Sequence, residues 1–546
     1  MTGECRVLGI EGTAWAASAA VYDAASDSVE IETEAYTPDS GGIHPREAAE
    51  HMSEQLPVVI ERTLERVRER SGTGGDEETG DTPVDAVAFS RGPGLGPCLR
   101  LAATSARALA QRLDVPLVGV NHMVAHLEVG RHRSGFDDPV CLNASGANAH
   151  VLGYRDGRYR VLGETMDTGV GNAIDKFTRH LDWAHPGGPK VERAAREGSY
   201  LDLPYVVKGM DLSFAGISSA AKEAIDDGES VEDVCHGLQE TMFGMLTEVS
   251  ERALALTGGE ELVLGGGVGQ NDRLQEMLAA MCEQRGAAFF APENRFLRDN
   301  AGMIAVLGAA MYEAGDTVPL TESAIDSDFR PDEVPVTWRV ESPTGSTPDT
   351  GEAVQGAEAT VTVGPTEVTK NRQPRAYRHP ELDERLRRER TRAEARVTSE
   401  ARRAGVPTPL VRDIDLGRTT LRLQHVGDCE LRAAVTESRV RQVARHLARL
   451  HGAGLVHGDP TTRNVRVRRA TEQINPTVFL SDFGLGYHSE DPEDHAMDLQ
   501  VFAQSLAGTE SDADRLVEAA ETAYREVGAP AVLDCLRDIE SRGRYQ

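Results

Sequence analysis

The sequence predicts an α/β chain in two modules, a large two-lobed domain followed by a smaller α+β domain. Three observations lead there. Residues 1–325 hold two similar α/β halves, each opening on a hairpin with a glycine-bearing turn. Residues 326–350 then shift to Pro, Thr, Ser and acids, the composition of a linker. Beyond them, residues 351–546 start again with a strand pair, a long charged helix and two loop motifs. The 546 residues also exceed the size at which one hydrophobic core stops growing.

Composition narrows the class. Hydrophobic residues make up 40% of the chain, as in globular proteins, and the formal charge is −30. The acidity is spread along the chain, and only five lysines occur, Lys176, Lys190, Lys208, Lys222 and Lys370. An acidic, lysine-poor surface suits concentrated salt, where screening weakens self-repulsion. The seven cysteines form no C-x-x-C, which argues for reduced thiols over disulfides or a zinc ribbon. Glu4, Arg6 and Glu11 interrupt the N-terminus and no run of 18 apolar residues exists. The expectation is a cytoplasmic protein without a membrane span.

In order, residues 5–36 read as strand, glycine turn, strand, strand, and residues 45–70 as helix. VDAVAFS is a buried strand that runs into GPGLGP, where Gly92, Gly94 and Gly96 let backbone amides approach an anion. A helix from about Leu99 to Leu113 follows and adds its N-terminal dipole. No G-K-[ST] follows the loop, so it is not a Walker A. After the strand VPLVGV comes NHMVAH. His122 and His126 lie four residues apart, one face of one helix, within reach of one metal. Met123 stands where a zinc protease carries its glutamate, which argues against a hydrolase.

The second half repeats the plan. Its hairpin, residues 139–155, turns at Ser145, Gly146 and Asn148. Helices carrying Asp175 and Glu192 follow, the latter after a Gly-Gly-Pro turn that includes Gly188. A long helix over 231–257 precedes strand, glycine turn and helix, with Asn271 just past the turn. Asp299 and Asn300 head a final apolar helix. Several glycine turns after strands, none with a Walker lysine, match the two-lobed actin-like ATPase architecture.

In the last module, His457-Gly458-Asp459, Asn464 and Asp482-Phe483-Gly484 reproduce the H-x-D-x(4)-N and D-F-G spacing of protein kinases. By that spacing Asp459 orients the attacking hydroxyl or water, and Asn464 and Asp482 hold Mg²⁺. Lys370 binds phosphate and pairs with Glu394. The glycine lid is replaced by Gly356-Ala357-Glu358-Ala359, and Asp498 follows Asp482 too soon for a peptide-docking loop. This points to ATP hydrolysis, or to phosphorylation of a dedicated partner.

These motifs resemble the archaeal fusion of the tRNA threonylcarbamoyladenosine synthase subunit of the KEOPS complex with its small atypical partner kinase. The resemblance rests on GIEGT, RGPGLGPCLR, NHMVAH, GNAIDKFTR, GGGVGQN and RDNAGMIA. In the second module it rests on GAEA, VTKNR, YRHPELD, HGDPTTRN and SDFGL. It implies transfer of a threonylcarbamoyl group from L-threonylcarbamoyladenylate to the exocyclic amine of adenosine 37 in tRNAs reading ANN codons, with release of AMP. By the same resemblance His122, His126 and Asp299 ligate one Fe²⁺ or Zn²⁺, with Asn143 a candidate fourth ligand. Asn143, Ala144, Ser145, Gly146, Ala147, Asp175, Gly188, Glu192 and Asn271 bind the adenylate. Gly356, Ala357, Glu358, Ala359, Lys370 and Glu394 bind ATP. The implied partners are tRNA, ATP and other KEOPS subunits. The chain departs from the family in lacking a tyrosine beside the metal, in Ala147 where glycine is usual, and in Pro460. A metal-dependent hydrolase, against which Met123 argues, and a non-catalytic scaffold with an ATPase timing module are the other two function classes. With the global field repelling RNA, local arginines are the expected tRNA contacts: Arg387, Arg388, Arg390 and Arg392, with Arg542 and Arg544 in the tail.

Overall fold

A computed structural model describes residues 5–36, 43–70, 83–155, 157–339, 354–355, 359–468, 477–510 and 512–542. The chain opens on a meander of β1 (Arg6–Glu11), β2 (Ala16–Asp23) and β3 (Ser28–Ala35). Helix α1 (Pro45–Arg70) crosses to β4 (Ala86–Gly92), and α2 (Gly96–Leu113) crosses to β5 (Leu117–Asn121). Both later strands run parallel to their neighbours, giving the order β3-β2-β1-β4-β5. Val7 and Leu8, adjacent on β1, enter cores on opposite faces of this sheet. Covering both faces explains why five of the six β1 residues are buried.

Helix α3 (His122–Ser134) leads into the second lobe. There β6 (Val140–Ala144), β7 (Ala149–Arg155) and β8 (Arg158–Glu164) form another meander. Next come α4 (Val170–His180), α5 (Gly188–Ala195), a ribbon of β9 (Val207–Lys208) and β10 (Asp211–Leu212), α6 (Ala215–Asp226) and α7 (Val231–Thr257). Strand β11 (Glu261–Gly265) pairs parallel with β6, and after α8 (Asp272–Arg285) strand β12 (Ala288–Phe290) pairs parallel with β11. The order β12-β11-β6-β7-β8 is the first lobe's plan again, a meander extended by two parallel crossovers. The doubled plan is the two-lobed actin-like fold.

The chain then returns. After α9 (Asn294–Leu297), helix α10 (Ala301–Glu313) packs on β1, β2 and β4 of the first lobe. Gly9 permits this: a Cβ there would stand 2.4 Å from the Ala301 carbonyl oxygen. Helices α3 and α10 pack together between the two sheets, so residues at their heads face the space between lobes.

Residues 326–339, which their composition places in the linker, are instead packed on the first module. The Gly94 amide donates to Ser327 O at 3.1 Å, and Asn121 Nδ2 to Phe329 O at 2.8 Å. On the other lobe Val334 is buried, Trp338 stacks on Tyr159, and the Arg339 guanidinium sits 3.7 Å over the Tyr154 ring. Gly92 makes room for this strap, since a Cβ there would overlap Asp326 O.

The small module begins with β13 (Val354–Gln355), β14 (Thr360–Val363) and β15 (Glu367–Asn371), followed by α11 (Pro380–Arg403), β16 (Val411–Asp415) and β17 (Thr420–Gln424). The sheet order is β13-β14-β15-β17-β16. A helical lobe follows: β18 (Cys429–Glu430), α12 (Glu437–His451), β19 (Leu455–Val456), β20 (Val465–Arg468), β21 (Thr477–Leu480), β22 (Tyr487–His488), α13 (Pro492–Ala507), α14 (Ala513–Arg525) and α15 (Pro530–Arg542). Val440, Val443, Ala444 and Leu447 form the apolar stripe that docks α12 into this core. A sheet with one helix, joined to a helical lobe, is the protein-kinase plan. Among the described residues no helix is long and apolar enough to cross a membrane.

Candidate metal centre and nucleotide clefts

Asn121 sets the first site. Its Oδ1 accepts from the Met123 and Val124 amides, a side-chain cap that starts α3 at His122. His126 then falls one turn later on the same face. Asn300 caps α10 in the same way, accepting from the Met303 amide, which leaves Asp299 just outside that helix. The two caps bring His122 Nε2 and His126 Nε2 each to 3.3 Å from Asp299 Oδ1. One donor atom from each of the three residues lies within 4.8 Å of the others. Both imidazoles are buried and their rings stand edge to face at 5.0 Å.

The electrostatics fit a cation. Burial opposes charge on His122, yet the Glu11 and Asp299 carboxylates outweigh it and push the imidazole up to about 10. Burial holds His126 below its ordinary value, with charged His122 adding to the effect. Burial likewise opposes ionisation of Asp299, but the two histidines hold its carboxyl well below the usual carboxylate range. A metal ion bound here would displace the proton on His122, since ligation needs neutral imidazole and ionised carboxylate. Two imidazoles and one carboxylate on adjacent backbones are a donor set for zinc or non-haem iron.

Glu11 joins this cluster, and spacing did not single it out. It is 0% exposed, and its Oε2 lies 3.2 Å from His122 Nδ1. The GIEGT segment was the only sequence signal for it.

The positions expected to hold the adenylate all lie on the second lobe. Asn143 and Ala144 end β6, and Ser145, Gly146 and Ala147 make the turn into β7. That turn rests on the head of α4, where a Cβ on Gly169 would stand 2.3 Å from Ala147 C. Farther along α4, Asp175 Oδ1 accepts from the Gly187 amide at 2.7 Å, tying down the turn that exposes Gly188. Glu192 on α5 accepts from the Asp272 amide at 3.3 Å, beside Asn271, which caps α8. Asn143 Oδ1 is buried without a hydrogen-bond partner and abuts Gly265 and Gly266 near His126.

In the small module Lys370 Nζ lies 3.0 Å from Glu394 Oε2 and 2.5 Å from Asp482 Oδ1. Asn464 Nδ2 donates to Asp459 Oδ2 at 2.9 Å. Asp498 accepts from the His457 and Gly458 amides at 2.7 and 2.8 Å, which fixes the loop presenting Asp459. Asp482 adopts φ +64°, a left-handed conformation uncommon for a non-glycine residue. Ala359, Lys370, Glu394, Asp459, Asn464 and Asp482 line one cavity of about 290 Å³. Gly356, Ala357 and Glu358 lie outside the described residues.

The first module reaches into this cavity. Arg252 on α7 places Nη1 3.2 Å from Asp459 Oδ2, and Met210, Ala255 and Leu256 also line the space. The Arg463 guanidinium donates to Ala255 O and that of Arg432 to Leu256 O, two cations on the C-terminal carbonyls of α7. Glu248 binds Arg378 at 2.6 Å and Arg390 at 3.0 Å. This corrects the nucleic-acid reading of Arg390: it is buried between modules, because its position on α11 faces Glu248. Arg387 is tied to Asp383 at 2.6 Å, whereas Arg388 and Arg392 are exposed. Arg542 ends α15 with its side chain, like Arg544, outside the described residues.

A two-lobed actin-like domain with an interlobe His-His-Asp cluster, joined to a kinase-like module, defines a class of metal-site and nucleotide-site proteins. Within that class, the sequence profile for tRNA N6-adenosine threonylcarbamoyltransferase matches residues 26–306. The chain is 67% identical over 551 residues to the "probable bifunctional tRNA threonylcarbamoyladenosine biosynthesis protein" of Haloarcula marismortui, covering 99% of this chain and 100% of the relative. The same-named proteins of Halobacterium salinarum and Haloquadratum walsbyi are 67% and 64% identical. These cover 99% of this chain in both cases, and 99% and 100% of the relatives. The chain belongs to the tRNA N6-adenosine threonylcarbamoyltransferase family.

Proposed function

We propose that the first module transfers the threonylcarbamoyl group of L-threonylcarbamoyladenylate to N6 of adenosine 37 in tRNAs reading ANN codons. The amine forms the new C–N bond, the bond from carbonyl carbon to phosphate oxygen breaks, and AMP leaves with that electron pair. The amine proton is released. The observation that carries this reading is the meeting of two buried imidazoles, through His122 Nε2 and His126 Nε2, with half-buried Asp299 Oδ1 in a chain of this family. These residues would hold one Fe²⁺ or Zn²⁺, with Asn143, whose Oδ1 is buried without a hydrogen-bond partner, a candidate fourth donor. When bound, the ion supplies Lewis acidity toward the transferred carbonyl.

The rest is positioning by the chain itself. The Asn143–Ala147 turn and Gly188 cradle the adenylate, with Asn271 beside them. Asp175 and Glu192 accept hydrogen bonds from ribose hydroxyls, the role acidic side chains suit. In the second module, which we place after the strap at about residue 351, Ala359, Lys370 and Glu394 seat ATP, together with Gly356–Glu358. Asn464 and Asp482 hold Mg²⁺, and Asp459 orients the attacking water or hydroxyl. Arg252 against Asp459 supports a regulatory ATPase that answers to the first module, and leaves little space for a peptide substrate. Exposed Arg388 and Arg392 remain the tRNA contacts, helped by other KEOPS subunits. The composition supports work in a salt-rich cytoplasm.

The test is elemental analysis with single-turnover transfer from supplied adenylate to tRNA. His126→Ala and Asp299→Ala should each lose the metal and slow transfer by orders of magnitude, each tenfold being about 1.4 kcal/mol. ATP turnover should stay close to the wild type. Metal-free variants that transfer at the wild-type rate would refute the reading.

A further inference from the structure

We propose that Glu11 is a positioning residue for the metal centre: it holds His122 by Nδ1 so that Nε2 is presented as the ligand atom. The inference rests on the metal reading above.

The geometry assigns the two ring nitrogens. His122 Nε2 faces Asp299 and Nδ1 faces Glu11 Oε2. A hydrogen on Nδ1, donated to Glu11, leaves the lone pair on Nε2 directed at the ligand cluster. Glu11 can impose this because it is itself immobilised. Its Oε1 accepts from the Thr13 amide at 2.8 Å and from Thr13 Oγ1 at 2.5 Å. Its Oε2 also accepts from Ser90 Oγ. Glu11 ends β1 and Ser90 lies on β4, and those strands pair in parallel with Ile10 beside Phe89. The sheet therefore brings both side chains to one spot, beneath the first turn of α3.

Two further observations support a role toward a cation. His126 Nδ1 is buried and makes no hydrogen bond, so His122 is held at both ring nitrogens whereas His126 is held only at Nε2, by Asp299. Among the described residues neither Glu11 nor Asp299 is ion-paired with lysine or arginine. Two carboxylates so placed match the charge of one divalent ion. Without lysine or arginine beside them, these carboxylates have His122 as their partner, the residue whose Nε2 is turned to the ligand cluster.

The experiment titrates metal-free full-length chain with Zn²⁺ against a chelator and with Co²⁺ by its d–d spectrum. Wild type, Glu11→Gln and Ser90→Ala are compared, with the melting temperature of each apo form recorded. Glutamine keeps the size and can still accept from Thr13, but removes the charge. We expect Glu11→Gln to bind both ions about 10–100-fold more weakly, with altered Co²⁺ bands and an apo melting temperature near the wild type. Ser90→Ala keeps the carboxylate but loosens it, and should lose several-fold; it decides the matter alone if Glu11→Gln does not fold. Equal affinities and spectra in wild type and variants would overturn the role of Glu11 while leaving the metal reading intact. Absence of binding by the wild type would overturn both.

Discussion

His122, His126 and Asp299 come from one module and meet between its lobes, whereas the cleft of Lys370, Asp459 and Asp482 takes Arg252 from the module next door. The first site is assembled by folding alone. Two side-chain caps and one crossing helix put its donors in place, and nothing from residues 351–546 is needed. The second brings together Lys370, Glu394, Asn464 and Asp482, yet Asp459, the carboxylate proposed to orient the attacking water, is already engaged by an outside cation. Chemistry in the first module should therefore be insensitive to the second, while turnover in the second should depend on how the modules dock.

The sharpest way to break this comparison is to disable the small cleft. Asp482→Ala removes the carboxylate that faces Lys370 and is expected to bind Mg²⁺. ATP turnover should fall by orders of magnitude, with metal content and single-turnover transfer preserved. Simultaneous loss of transfer in a folded Asp482→Ala protein would show that the sites are not separable.

A smaller effect should come from Arg252→Ala, which removes the guanidinium 3.2 Å from Asp459 Oδ2. ATP turnover in the absence of tRNA should rise several-fold as the carboxylate loses this cation. The melting temperature should drop, because Glu248 loses one of its buried guanidinium partners, an interaction worth about 1.5–3 kcal/mol. Unchanged turnover would mean that Arg252 serves docking alone.

Legibility in the sequence followed how local each signal was. The spacing of His122 and His126 identified a shared helical face, and H-x-D-x(4)-N with D-F-G identified the second cleft. The repeated hairpins announced the doubled sheet plan. Asp299, separated from His126 by 173 residues, was reachable only through resemblance. Glu11 gained its contact from parallel pairing of β1 with β4, which no local pattern encodes. Arg252 reads as an ordinary i,i+4 partner of Glu248, and only docking reveals its reach to Asp459. Arg390 was hidden in a run of arginines, because charge density does not say which helix face is covered. Residues 326–339 have a linker's composition, yet Trp338 and Arg339 find aromatic partners on β7 and β8 and pin the segment down.

The central claim is that one ion ties the two lobes together through His122, His126 and Asp299. X-ray diffraction from crystals of the wild-type chain, recorded on both sides of the iron and zinc absorption edges, tests it most directly. A single anomalous peak bounded by His122 Nε2, His126 Nε2 and Asp299 Oδ1 is expected, and its edge identifies the element. The absence of a peak there, or a metal held elsewhere by other residues, would contradict it.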